Sequence, residues 1–472
     1  MYAGYPAPFV FDATRRKKKQ HLIWGDWIGV KGAPDDGWVP VQVRGAQGWM
    51  RQEDIQDERL LELNFIDVGQ GDSCFVVTPD DEYLVVDAGE KHNLWWFLRW
   101  RFNLRDKPWK QIPIRHAVIT HPDRDHYAGF DPLFAAKQLR FDNVWHNGIV
   151  ERATKPRLGP QMGRGKDAVL TDIVQSQTAL SKLLRDDVRV GRARYPTLLR
   201  QALKSQRVGH IAAASTKIGH LPGFGPGDRV SLQVLGPAPR RAGRALHLPR
   251  LGSDGETKNG HSVVLRLRYG TVTALLGGDL NTPAERYLIA HHTDGAADPV
   301  AAARAVFGVD IAKSCHHGSA DFLDEFLGYQ RPAAWIVSSG DNEPYSHPRP
   351  DTLGALGRQG RGGRPLIFST ELARSPAQFK DHPQRFLATM RSKLEEALDE
   401  TTSEGVSDDE AQGKPLARYQ RAIAVYGMVT VRTDGTKALI ATKLEKKGVG
   451  GRKWDYYCLE PDSDGVLHHV AR

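Results

Sequence analysis

The chain has 472 residues and a formal net charge of +9, enough length for two or three domains and a substantial core. Its three cysteines, Cys74, Cys315 and Cys458, are widely scattered, which excludes a disulfide framework and favours a reducing compartment. No apolar run approaches the roughly 18 residues that span a bilayer, so the expectation is a cytoplasmic protein with no membrane channel of its own.

Residues 1–20 carry the basic run Arg15 to Lys19 without a continuous apolar core; they read as a disordered basic arm and not as a secretory signal. Residues 21–56 hold four tryptophans, Trp24, Trp27, Trp38 and Trp49, in short alternating runs broken by glycines. Gly37-Trp38-Val39-Pro40-Val41 and Gly48-Trp49-Met50 resemble a small bacterial SH3-like barrel. Such a module could bind a partner peptide or a wall component, or use its tryptophans only for packing.

From Asp57 onward the pattern changes. Leu63 to Asp72 runs from a strand into a glycine turn, and Cys74–Val77 and Tyr83–Gly89 read as the next strands. The short apolar run Ala117-Val118-Ile119 then delivers Thr120-His121-Pro122-Asp123-Arg124-Asp125-His126. Four metal-ligand side chains within six residues, at the end of a buried strand, suit one or two divalent cations. A lone His-x-x-x-x-His would more often be a polar loop; the interleaved aspartates argue against that here.

A long insertion follows, at about 150–250. Between Glu151 and Arg250 there are 19 Lys and Arg against 6 Asp and Glu, more than the whole net excess of the chain. Both ends of the insertion must return near the cleft. A basic lobe beside a metal site is the electrostatic footprint of a nucleic-acid substrate, with Arg189, Arg192 and Arg194 as candidate contacts. The plain alternative is a solvated lid. Further on come Asn259-Gly260-His261-Ser262, Leu276-Gly277-Gly278-Asp279, Cys315-His316-His317-Gly318-Ser319 and Pro344-Tyr345-Ser346-His347-Pro348. His291-His292 reads as solvated and Cys315 as a small buried thiol.

Pro365 to Ser369 reads as a late strand and Gln384 to Asp399 as a helix. Thr401 to Lys414 is expected to be a mobile acidic loop, so about 371–418 reads as an insertion. A hairpin around Asp434-Gly435 should complete the sheet, and Trp454 to Leu459 should add a strand.

The order of these blocks resembles the metallo-β-lactamase superfamily and, more narrowly, its ComEC-type branch, the hydrolase domain of bacterial DNA-uptake channels. The resemblance implies a four-layered αββα fold over residues 57–472 behind the SH3-like module. It also implies two divalent metal ions, zinc or manganese. Asp123 stands where the superfamily has its second histidine. By resemblance His121 and Asp123 would hold the first metal, Asp125 and His126 the second, with Asp279 bridging and His316 as the last histidine. His316 is preferred to His317 because it stands two residues before Gly318. The remaining first-metal ligand is left between His261 and Asn259. Asp67 and Asp72 look like glycine-turn acids that orient loops, and His347 like a proton donor or phosphate contact.

The function this implies is a metal-dependent phosphodiesterase, a nuclease cleaving DNA or RNA through a di-metal-activated hydroxide, with Asp125 and His347 as its catalytic pair. The alternatives are hydrolysis of a small ester, thioester or signalling nucleotide, and a regulatory binding protein with a weakened metal site.

Overall fold

A computed structural model describes residues 1–243, 245–340, 345–362, 365–370, 425, 427–444 and 447–471. The helix and acidic loop expected within 371–418 lie outside these residues.

Two large sheets organise the chain. The first has ten strands in the order Val208–Ala213, Leu139–His146, Ile112–Val118, Tyr83–Val86, Cys74–Val77, Leu61–Phe65, Val429–Thr433, Ala438–Lys443, Trp454–Pro461 and Leu467–Val470. The second has six, from Val230–Gly236 through Val264–Tyr269, Val272–Leu276, Ile311–Lys313 and Ala334–Val337 to Leu366–Ser369. Alternation within the strands assigns their faces. Leu61, Leu63 and Phe65 of the first sheet share one buried cluster with Leu232, Leu265 and Leu267 of the second. Phe75, Val77 and Val85 face the other way, into a cluster with Leu94, Phe97, Leu180, Leu184 and Leu198 of the flanking helices. The second sheet buries Leu275 and Trp335 against Leu288, Phe307 and Phe326 of its own helices. Because side chains alternate along a strand, a one-residue slip would turn each of these sets to the wrong face.

The hairpin around Asp434 forms as its sequence indicates. Asp434 Oδ1 accepts from the amides of Thr436 (2.9 Å) and Lys437 (3.0 Å), and the first arm pairs antiparallel with Leu61–Phe65. The strand Val429–Thr433 thus lies beside the strand that opened the domain.

The N-terminus departs from expectation. Residues 1–20 are not a free arm: Phe9–Phe11 and Lys18–His21 are strands of a five-stranded sheet with Gly29–Val30, Trp38–Val43 and Ala46–Arg51. The physical reason is local. Val10 is fully buried, while the basic residues stay at the surface and stack on aromatic rings, Lys18 over Phe9 and Arg15 over Trp49. This sheet is fixed to the rest of the chain. Buried Arg432 donates to Trp24 O (2.6 Å) and pairs with Asp26 Oδ1 (3.0 Å).

Candidate metal centre

The strands Tyr83–Val86, Ile112–Val118 and Leu139–His146 run parallel, so their C-terminal ends deliver Asp87 and the Thr120–His126 segment to one edge. Val272–Leu276 and Ile311–Lys313 of the second sheet are likewise parallel and deliver Asp279 and the 315–318 turn to the same place. Asp72 enters from the glycine turn before Cys74. Gly71 has φ +100°, and a Cβ there would collide with the Asp125 carbonyl, so only glycine lets the turn approach this closely.

Asp72, His126, Asp279 and His317 form a fully buried group whose ligand atoms lie within 4.8 Å of one another. His126 Nε2 is 3.2 Å from Asp279 Oδ2 and 3.2 Å from His317 Nε2. His317 Nε2 is 3.1 Å from Asp279 Oδ2 and 3.4 Å from Asp125 Oδ2. Separations like these match the roughly 3.3 Å edge of a tetrahedron built on metal bonds of about 2.0–2.1 Å.

The far nitrogen of each imidazole is anchored. His126 Nδ1 meets Asp87 Oδ2 at 2.8 Å, and Asp87 is held in turn by the Thr120 amide and hydroxyl at 2.8 and 2.7 Å. His317 Nδ1 faces Ser338 O and Asp72 Oδ1, both at 3.2 Å. His121 Nδ1 lies 3.1 Å from Thr120 Oγ1 and 3.3 Å from Ser262 Oγ. Both hydroxyls already donate elsewhere, Thr120 to Asp87 and Ser262 to Asn259 O. Nδ1 of His121 therefore carries the proton and Nε2 presents a lone pair. That Nε2 is buried with no hydrogen-bond partner, and it faces Asp123 Oδ2 at 3.7 Å and Asp279 Oδ2 at 3.9 Å. That lone pair therefore faces two carboxylate oxygens and no donor of its own. The donor set fits a cation.

Electrostatics agree. Burial presses the His126 and His317 pKa values down, but the surrounding carboxylates, Asp279 foremost, outweigh it and raise both well above the ordinary range. Asp279 is pulled the other way: burial raises its pKa, and His126 and His317 more than reverse that. Burial and the neighbouring His126 instead push His121 down to about 3, which keeps it neutral. The carboxylates thus stabilise positive charge at the spot where the lone pairs meet.

Lys313 closes the floor. Its buried ammonium contacts Asp72 Oδ2, donates to Gly278 O at 3.0 Å and lies 3.7 Å from Asp279 Oδ1.

Most of the residues expected from sequence come together, with four differences. The 315–318 turn carries His316 and His317 in consecutive left-handed conformations, φ 50° and 53°, and this kink turns His317, not His316, into the group. His316 packs outside it, its ring 5.9 Å from that of His347. His261 lies apart: it is buried with Nε2 2.7 Å from Pro249 O, and burial lowers its pKa to about 4. Asn259, with its amide nitrogen assigned toward Asp123, donates to Oδ2 at 2.8 Å. Asp72 points into the group and does not merely orient its loop. His292, expected in solvent, is partly buried with Nε2 2.8 Å from Leu235 O.

Sequence reasoning overlooked Lys313 and Lys258. A lysine at the end of the apolar strand Ile311–Lys313 was the available signal for the first. His347 sits at the rim, its ring stacked 6.5 Å from that of His317. Of the three arginines, Arg189 pairs with Asp172 (3.6 Å) and Asp186 (3.9 Å), and Arg192 lines an open groove. Arg194 opens a helix whose Tyr195 ring packs 4.9 Å from Tyr127, the residue after His126.

Imidazoles and carboxylates gathered where two sheets end, each ring oriented by a second polar group, are the arrangement of a metal-dependent hydrolase. The Metallo-beta-lactamase superfamily profile matches residues 67–316, just over half of the chain, and the chain belongs to that superfamily. No curated protein matches it. Among the described residues no helix is long and apolar enough to cross a membrane.

Proposed function

We propose that the chain is a phosphodiesterase of the ComEC-type branch, acting on nucleic acid. The observation that carries this reading is the position of the basic insertion beside the Asp72–His126–Asp279–His317 group. Lys155, Arg157 and Arg250 line an open groove of about 640 Å³ that also includes Asp254. Asp254 begins the helix Asp254–Gly260, whose Lys258 reaches Asp123, so one short helix links the groove to the site. A second basic groove of about 790 Å³ includes Arg185, Arg192, Arg200 and Lys204. Phosphates bind such surfaces with little regard to sequence.

Zinc or manganese ions held by Asp72, His121, Asp123, Asp125, His126, Asp279 and His317 would supply a water nucleophile near neutral pH and polarise the phosphoryl oxygen. The chain's own residues do the rest. Asp87 and Ser338 orient the imidazoles, Lys313 balances the buried carboxylates, and His347 at the rim delivers a proton to the leaving oxygen. The two large sheets, with helices on their outer faces, support the αββα reading. The Trp-rich N-terminal sheet supports an SH3-like module with a peptide partner. The cytoplasm is the compartment consistent with unpaired cysteines.

The test is cleavage of labelled DNA and RNA by the full chain with manganese, zinc or magnesium. Metal-dependent cleavage of either polymer is expected. Hydrolysis of small esters or thioesters with no action on polymers would replace the reading with the small-substrate one.

A further inference from the structure

Each half of the centre carries a lysine, Lys313 against Asp72 and Lys258 against Asp123, but the two halves are not equally open to an ion. Both oxygens of Asp123 are engaged by successive residues of the helix Asp254–Gly260. The Lys258 ammonium contacts Oδ1, and the Asn259 amide donates to Oδ2 at 2.8 Å. Lys258 also donates to Glu151 Oε1 at 2.8 Å, at the root of the basic insertion, and its side chain is only 16% exposed. The helix that carries it is firmly set. Ser253 and Glu256 form a capping box, Arg250 bonds Asp254 at 2.6 Å, and Asn281 donates to Glu256 O at 2.9 Å. Among the described residues no second imidazole compensates at this position, because His261 is turned to Pro249 O. What remains is His121, the neutralised Asp123 and a share of Asp279. On the other side stand His126, His317, Asp125 and Asp279, none of them held by a lysine at hydrogen-bond distance, together with Asp72, whose Oδ2 is contacted by Lys313.

We infer that Lys258 is a built-in cation at the first position, so that this chain holds one divalent ion tightly, at Asp72–His126–Asp279–His317, and a second only weakly. A fixed ammonium against Asp123 both repels a second divalent ion and occupies the carboxylate it needs. Lys258 is thus a positioning residue that sets the metal count. The inference rests on the reading of this group as a metal centre.

The experiment is a manganese titration of the chelator-treated full-length chain, followed by calorimetry and by the electron paramagnetic resonance of bound manganese. Circular dichroism confirms folding of each variant. Wild type should take up one ion tightly and a second at least about 100-fold more weakly, with no spin-coupled pair at one equivalent. Lys258→Met should tighten the second step by about ten-fold or more, and Lys258→Arg, which keeps the cation, should resemble wild type. Two ions of similar affinity in wild type would overturn the inference and leave the metal centre standing, and so would a folded Lys258→Met with an unchanged second step. Wild type binding no ion would overturn both. If Lys258→Met does not fold, Lys258→Gln, which removes the charge and keeps a polar side chain, makes the same comparison, and an unchanged second step in it would equally overturn the inference.

Discussion

The same seven-residue segment, Thr120 to His126, feeds both sides of the metal group, yet the two sides differ in burial and in partners. His126 is fully buried, anchored by Asp87 and faced by three carboxylates and a second imidazole. Asp123 is 29% exposed and tied to Lys258 and Asn259. Burial decides what each side can do. In the enclosed half the carboxylates act through little solvent, Lys313 offsets only part of their charge, and the rest must come from protons or from a metal. In the open half a lysine supplies it.

That contrast can be broken from several directions, beginning where the effect should be largest. Among the described residues Asp279 is the carboxylate that comes within 4 Å of all three imidazoles. Asp279→Asn should therefore reduce hydrolysis to background while circular dichroism stays unchanged; retained turnover would show that the buried half is not the working one. Asp87→Asn removes no candidate ligand and only loosens the His126 ring, so metal affinity should fall about 10–100-fold, read by competition with a chelator.

The basic insertion gives the next effect. Arg192→Ala with Arg194→Ala should weaken binding to DNA or RNA and flatten its salt dependence by about one unit per lost phosphate contact. Arg189→Ala, which removes long contacts to Asp172 and Asp186 while Arg152 still holds Asp172 at 2.7 Å, should change the slope less. Equal effects would mean the arginines act through the fold of the lobe.

The smallest effect lies behind the site. Burial pushes Glu285 up to about 8, with its carboxyl accepting from the Leu323 amide at 2.6 Å. Between about pH 4.5 and 8 the folded chain therefore keeps a proton that the unfolded chain releases. This stabilising contribution is complete below that window and is lost as pH rises through it, at up to about 1.4 kcal/mol per pH unit. Glu285→Gln should flatten the fall in thermal-unfolding midpoint between pH 5 and 8; an unchanged slope would place the proton elsewhere.

Much of the centre was legible in sequence because its ligands come from short motifs at strand ends. The strand Ala117-Val118-Ile119 and the cluster after it specify both location and chemistry. What sequence could not supply was direction. Whether His316 or His317 turns inward depends on two left-handed residues, and spacing from Gly318 points to the wrong one of the pair. Whether His261 reaches a metal depends on Pro249 O, twelve residues away on another element. Asp72 read as a turn acid because its partners, Lys313 and His317, are about 240 residues further on. At the N-terminus the charge of Lys17, Lys18 and Lys19 hid the alternation that buries Val10.

The account stands most directly on the metal content of the full-length chain, measured by elemental analysis for wild type, His317→Ala and His316→Ala. Wild type and His316→Ala should each retain a tightly held divalent ion, and His317→Ala should lose it. A wild-type chain with no metal, or loss in His316→Ala with retention in His317→Ala, would contradict it.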